Sequence, residues 1–363
     1  MSNYCPRIFH GLTLQNISDK SVSYSACCWT THTIVSESIN FDHNSLQEIR
    51  ALNQQEILPP KYCSSCVVNN ETSMRSGYVQ IHGPATYDHS LQYLDINIDY
   101  TCNLACVTCG PEYSTTWRKE LKLKHMNVRP HLDQFFRNKI ESLDLSQLKE
   151  IRIWGGEPFL TNTHKQILEY VVEHGNPQNI RLMYNTNGTR LIDPYTKSLI
   201  EKFKFARISF SVDGVDAEFE YLRYPAKWQE VEQNLLWWKD NLPHNSMLSL
   251  TVTASLLNVL SLNKVFEWHQ KNFSKSCYGD DIEIYVHQAF GTFGLESMPP
   301  AMITHLKSLS DYCVPWIQTT NILGTKPHML LMAVTKLHDM DQRRNLFLSD
   351  VIPQVAEFIG YQR

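Results

Sequence analysis

The chain has no basic stripe. Its 33 Lys and Arg are set against 37 Asp and Glu, and a net charge of −4 gives a nucleic-acid partner no electrostatic footing. It lacks any apolar run approaching the ~20 residues that cross a bilayer, so no membrane partner is expected. The opening Met1-Ser2-Asn3-Tyr4-Cys5-Pro6 is without the charged-then-apolar layout of a secretory signal, and a cytoplasmic protein is the expectation. There is no internal repeat and no low-complexity tract. The 15 histidines are scattered, without an HxH or HxxxH pair usefully placed beside a carboxylate. His287, at the end of a predicted strand, is the one to watch.

What is present is globular material, 42% apolar and 19% charged, with an unusual cysteine content. Ten cysteines fall at 5, 27, 28, 63, 66, 102, 106, 109, 277 and 313, eight of them in the first third of the chain. Disulfide frameworks suit small secreted domains, and this chain is neither small nor visibly exported. Clustered cysteines in a reducing compartment point instead to thiolate ligation of metal. Cys277 and Cys313 lie apart from the clusters and read as loop or packing residues.

Three regions follow from the texture. Residues 1–90 are rich in Ser, Asn and Thr and read as a loop-rich cysteine segment, with one helix around Ser45–Gln55. From 91 to 290, strand-like runs alternate with helical patterns. The strands are read at Leu91–Ile98, Glu150–Trp154, Ile180–Tyr184, Ala206–Val212, Leu248–Thr253 and Ile282–His287. The helices between them are read at Pro111–Lys124, Asn162–His174, Pro194–Phe203, Trp228–Asn241 and Leu260–Lys271. Strand–helix repetition of this kind predicts an α/β fold with a parallel sheet, here a partial (β/α)6 barrel. In such folds the working residues gather at the C-terminal ends of strands. Residues 291–363 read as a helical tail, with helices over Ala301–Trp316 and Met329–Asp341 and a last one after Pro353.

The first predicted strand is followed by Cys102-Asn103-Leu104-Ala105-Cys106-Val107-Thr108-Cys109, a C-x3-C-x2-C loop. Three thiolates so close can ligate three irons of a cubane and leave the fourth open. Ordinary buried cysteines, or part of a zinc site, are the alternatives for the spacing alone. The second strand ends in Gly155-Gly156-Glu157-Pro158, where glycines let backbone approach a ligand closely. Asn185-Thr186-Asn187-Gly188 follows the third, and Ser211-Val212-Asp213-Gly214 ends the fourth.

Together these elements resemble the radical S-adenosylmethionine superfamily over about residues 91–290. The resemblance implies a [4Fe–4S] cluster on Cys102, Cys106 and Cys109, with an open iron that chelates S-adenosylmethionine. It implies cofactor contacts at Gly155, Gly156, Glu157 and Pro158, with the Glu157 carboxylate and nearby carbonyls receiving the methionine ammonium. Asn187, Ser211 and Asp213 resemble segments that contact the cofactor carboxylate and ribose. The implied chemistry is reductive cleavage to methionine and a 5′-deoxyadenosyl radical, which abstracts hydrogen from substrate. One departure stands out: Thr108 occupies a place where many members carry an aromatic residue near adenine. Arg223, in Tyr221-Leu222-Arg223-Tyr224-Pro225, has two readings, contact with an anionic group of cofactor or substrate, or a surface or capping role.

Cys5, the Cys27-Cys28 doublet and Cys63-Ser64-Ser65-Cys66 form the second group. Its layout resembles a subgroup with a twitch or SPASM-like element, which implies an auxiliary iron–sulfur cluster on Cys5, Cys28, Cys63 and Cys66. Cys27 is the alternative to Cys28, and zinc or no metal are the alternatives to the cluster. The partners implied are a small-molecule or peptide substrate and a reductant such as flavodoxin or ferredoxin. No spare ~80-residue module for a leader peptide is apparent, which weighs against a peptide substrate. An iron–sulfur electron carrier and a zinc-stabilised binding protein are the competing functions; the Gly155–Pro158 element argues against the first, and metal analysis after anaerobic purification separates the second.

Overall fold

The structure, a computed structural model, is described for residues 4–15, 21–28, 30, 33–68, 87, 89–98, 100–123, 139–273 and 283–363. Cys277 and Ile282 lie outside the described residues. Nine strands form one sheet: β1 Gly11–Gln15, β2 Val22–Ser25, β3 Ile34–Ser36, β4 Tyr93–Asn97, β5 Glu150–Trp154, β6 Arg181–Thr186, β7 Phe205–Ser211, β8 Ser246–Ala254 and β9 Glu283–Gln288. Their order is β3-β2-β1-β4-β5-β6-β7-β8-β9. Every pair from β4 to β9 is parallel, as the alternation of strands and helices predicts.

The alternation along each strand explains the layers. Leu94, Ile96, Ile151, Ile153, Leu182, Ile208 and Leu250 are buried against helical residues such as Ile167, Leu168, Ile200 and Leu235. The opposite face is polar. Register places Thr13, Asp95, Arg152, Met183, Arg207 and Met247 in one row across six strands, and Asn185, Ser209, Ser249 and Glu283 in the next. A period of two thus sends the apolar set to the helices and leaves a polar face away from them.

The N-terminal region differs from the loop-rich expectation. Strand β1 pairs parallel with β4, and β2 and β3 continue the sheet antiparallel. Leu12, Leu14, Val22 and Tyr24 are fully buried in the same core as the barrel strands. These strands are only three to five residues long and sit among Ser, Asn and Thr, too short for their periodicity to stand out. Arg7, on the helix Pro6–His10, forms a buried ion pair with Asp95 of β4, which also receives the Thr13 hydroxyl at 3.2 Å. A separate small core holds Tyr4, Ile8, Phe9, Ile49, Tyr62 and Cys63.

Some helical expectations are shortened. Of the stretch 111–124, residues 111–123 are described and are helical over Thr115–Glu120, capped by the Ser114 hydroxyl, which accepts from the Thr116 and Trp117 N–H groups. Residues 301–316 divide into Pro300–Ser308 and Pro315–Thr319, because proline does not continue a helix but starts one well. Among the described residues no helix is long and apolar enough to cross a membrane.

The tail docks through one buried carboxylate. Asp341, on the helix His328–Arg344, accepts from Tyr221 Oη at 2.8 Å, Tyr361 Oη at 2.6 Å and Leu348 N at 2.8 Å. Tyr221 belongs to the barrel helix Asp216–Leu222, so the carboxylate joins barrel and tail. Replacing Tyr361 by Phe removes one donor from this buried acceptor, for an expected loss of about 1–3 kcal/mol. Denaturant unfolding measures it, and an unchanged midpoint would show that the tail is anchored elsewhere.

Candidate metal centre

The loop after β4 has no regular structure, and the chain around it supplies its hydrogen bonds. Cys102 N–H donates to Thr115 Oγ1 at 3.1 Å, and the Thr116 hydroxyl donates to Cys102 O at 2.7 Å. Trp117 Nε1 donates to Cys106 O at 2.9 Å. Ala105 and Val107 donate to the carbonyls of Tyr224 and Leu222 at 2.6 and 2.9 Å. The tail contributes as well, since Arg344 donates to Ala105 O at 2.8 Å while paired with Glu120 at 3.0 Å. Sequence reading missed Thr115, Thr116, Trp117 and Arg344. The Thr-Thr-Trp start of the following helix was the one available signal.

Cys102 and Cys106 are half-buried and Cys109 is exposed at the rim, all as thiols. Burial pushes the Cys102 thiol up to about 12, and the nearby Cys106 and Cys109 add to the rise; burial likewise raises Cys106, against the pull of Arg223. The three groups therefore feel one another, and ionising them together calls for a cationic partner. Among the described residues no three His, Cys, Asp or Glu side chains converge on a point that would hold a single ion. A cubane makes a different demand, since its thiolates sit on different irons around a shared space. Three thiols on one loop, pinned from several sides with a buried cation behind them, fit such a cluster.

The glycine turn after β5 presses on this loop. Gly155 and Gly156 have φ of 91° and 52°, and a Cβ on Gly156 would stand 2.4 Å from Thr101 O. Glu157 N–H donates to that same carbonyl at 2.8 Å. The Glu157 carboxylate is 1% exposed and is taken up within the protein. Its oxygens accept from Thr186 Oγ1 at 2.7 Å, Phe159 N at 3.2 Å and Asn187 N at 2.6 Å. It thus brackets the ends of β5 and β6, a role the sequence did not reveal. Burial raises its pKa, and these hydrogen bonds pull it back. Pro158 opens the short 3-10 turn Pro158–Leu160.

Asn187 joins the ends of β5 and β6 to the cysteines. Its Nδ2 lies 3.0 Å from Asn103 Oδ1 and 3.9 Å from Cys102 Sγ. Asp213 is buried, with Oδ1 accepting from Thr253 N at 2.7 Å and Oδ2 paired with Arg223 at 2.7 Å. Arg223 in turn directs Nη1 at Cys106 Sγ, 4.0 Å away. Ser211 stands at the end of β7, half-buried and in register with Thr251. His287 is exposed on β9 in register with Thr253.

The N-terminal cysteines are brought together in part. Cys5 N–H donates to Asn53 Oδ1 at 2.8 Å, and burial raises the Cys5 thiol, with Cys66 adding to the rise. Thr30, just past the Cys27-Cys28 doublet, donates to Tyr62 O at 3.1 Å and so ties that turn to the helix carrying Cys63 and Cys66. The charged neighbours of Cys28, however, are Asp95, Arg7 and Arg152, with burial the main cause of its raised pKa. Cys313 is half-buried against the main core, as expected of a packing residue.

Replacing Glu157 by Ala leaves the Thr186 hydroxyl and the Asn187 N–H without their acceptor, a cost of about 1–3 kcal/mol in stability. Denaturant unfolding measures it, and an unchanged midpoint would show that the turn does not depend on this carboxylate.

Residues 96–257 match the family described as the Radical SAM superfamily. The chain is 26% identical over 121 residues to the mycofactocin maturase MftC of Mycolicibacterium smegmatis, a match covering 33% of this chain and 27% of that protein. It is 29% identical over 140 residues to a GTP 3′,8-cyclase of Syntrophomonas wolfei, covering 38% of this chain and 39% of the other. The chain thus spans well under half the length of either of these two relatives. Among solved structures it is similar to anSMEcpe with bound AdoMet, with TM-score 0.41, 16% identity and coverage of 70% and 62% of the two chains. It is also similar to Streptococcus suis SuiB bound to precursor peptide SuiA, with TM-score 0.36, 11% identity and coverage of 95% and 74%.

Proposed function

We propose that the chain is an enzyme of the radical SAM superfamily, with its centre built on Cys102, Cys106 and Cys109. These thiols would hold a [4Fe–4S] cluster, and Gly155, Gly156, Pro158, Asn187, Ser211 and Asp213 are the residues that would receive S-adenosylmethionine. A cluster held here supplies the electron that cleaves S-adenosylmethionine to methionine and the 5′-deoxyadenosyl radical, which takes hydrogen from substrate. The observation that carries this reading is the cysteine loop pinned against the Gly155-Gly156 turn, with Asn187 and Arg223 on its sulfurs.

The protein's part is to fix and shelter. Asn103 and Asn187 hold the first cysteine to the end of β6. Glu157 keeps the two neighbouring strand ends in register, so its own work is positioning. The polar face of the sheet, with Asp95, Arg152, Arg207 and Asn185, suits a polar substrate, either a small metabolite or a peptide. Cys5, Cys63 and Cys66, with Cys28 or Cys27, hold an auxiliary iron–sulfur cluster. A flavodoxin or ferredoxin supplies electrons, and the enzyme works in the cytoplasm.

Anaerobic reconstitution is expected to load about eight irons, four for each cubane. With dithionite the wild type should convert S-adenosylmethionine to 5′-deoxyadenosine and methionine, slowly even without substrate. The Cys102/Cys106/Cys109→Ala variant should yield none and keep about half the iron. A Cys63/Cys66→Ala variant should retain some uncoupled cleavage. Release of methylthioadenosine by fully loaded wild type, in place of 5′-deoxyadenosine, would overturn the hydrogen-abstraction reading.

A further inference from the structure

The residues on either side of Arg223 grip the residues on either side of Cys106. Ala105 N–H donates to Tyr224 O and Val107 N–H to Leu222 O, so Arg223 is locked opposite the middle cysteine. Its side chain is only 10% exposed. One end of the guanidinium meets Asp213 Oδ2 at 2.7 Å, and Nη1 points at Cys106 Sγ from 4.0 Å. Asp213 has little freedom to draw the arginine away. Its Oδ1 receives Thr253 N–H at 2.7 Å, and its backbone carbonyl receives Asn258 Nδ2 at 2.8 Å. The other two thiols are served differently. Cys102 Sγ accepts from Leu104 N–H at 3.4 Å and lies near the Asn187 amide, whereas Cys109 faces solvent.

We propose that Arg223 is a positioning residue that raises the reduction potential of the cluster through Cys106, with Asp213 as the opposing charge that limits the effect. The inference rests on the reading that Cys102, Cys106 and Cys109 hold a cluster. Reduction adds one negative charge to such a centre, and charge and hydrogen bonding at its sulfurs set its potential. A cation fixed beside a ligating sulfur favours the reduced form, and burial keeps salt and water from screening it.

The test is a potentiometric titration of the anaerobically loaded full chain, followed by the electron paramagnetic resonance of the reduced cluster. The wave that disappears in the Cys102/Cys106/Cys109→Ala variant is the one to follow. In Arg223→Gln the reduced-to-oxidised ratio at a fixed potential should fall at least about tenfold, which is about 59 mV for one electron. Arg223→Lys should restore much of it. Asp213→Asn should move the midpoint the other way, upward. Wild-type iron and sulfide in Arg223→Gln with an unchanged midpoint would overturn the inference. If that variant fails to load, Asp213→Asn decides, and an unchanged or lowered midpoint there overturns it. If no wave is lost in the triple-cysteine variant, the cluster reading itself fails.

Discussion

A loop without regular structure cannot satisfy its own backbone, and the segment carrying the three cysteines is such a loop. Its N–H and C=O groups need outside partners, or burial beside a cofactor becomes costly. The partners come from distant parts of the chain. The helix Thr115–Glu120 takes the groups of Cys102 and Cys106, the turn at Leu222–Tyr224 takes Ala105 and Val107, and the glycine turn after β5 closes on Thr101. The parallel order of β4 to β9 makes this possible, because it delivers those turns to one edge of the sheet.

Much of this was legible in the sequence where the period was long and the chemistry explicit. Trp228–Asn241 has the predicted bounds, since apolar residues there repeat over enough positions to fix both type and ends, whereas Glu150–Trp154, no longer than β1, is marked by the glycine pair that follows it. The cysteine spacing and the glycine pair were also visible, because short motifs of rare residue types stand out against an ordinary background. Strands β1 to β3 were not visible. Their stability comes from pairing with β4 and from burial of Leu12, Leu14 and Tyr24, which are tertiary effects.

Side-chain roles were less legible than positions. Glu157 stands where the sequence put it, yet its oxygens are spent on Thr186, Asn187 and Phe159 rather than left open to a ligand. Motif spacing states which residues are near, and only the fold states what they touch. Arg223 is the converse case. Its backbone does cap the helix Asp216–Leu222, one of the roles weighed for it, but its side chain is not at the surface, because a buried ion pair with Asp213 holds it against a sulfur. No periodicity encodes that contact, because it depends on the turn after Asp216–Leu222 folding back onto the cysteine loop.

Arg344 has a consequence for how the protein is made. Its guanidinium stacks between the rings of Trp117 and Tyr224, 4.6 Å from each, and donates to the carbonyl just before Cys106. A nascent chain emerges from the ribosome N-terminal end first and folds in that order. The three cysteines therefore leave the ribosome long before the helix His328–Arg344 that completes their support. Until that helix docks, the thiols sit on a loop missing one of its clamps.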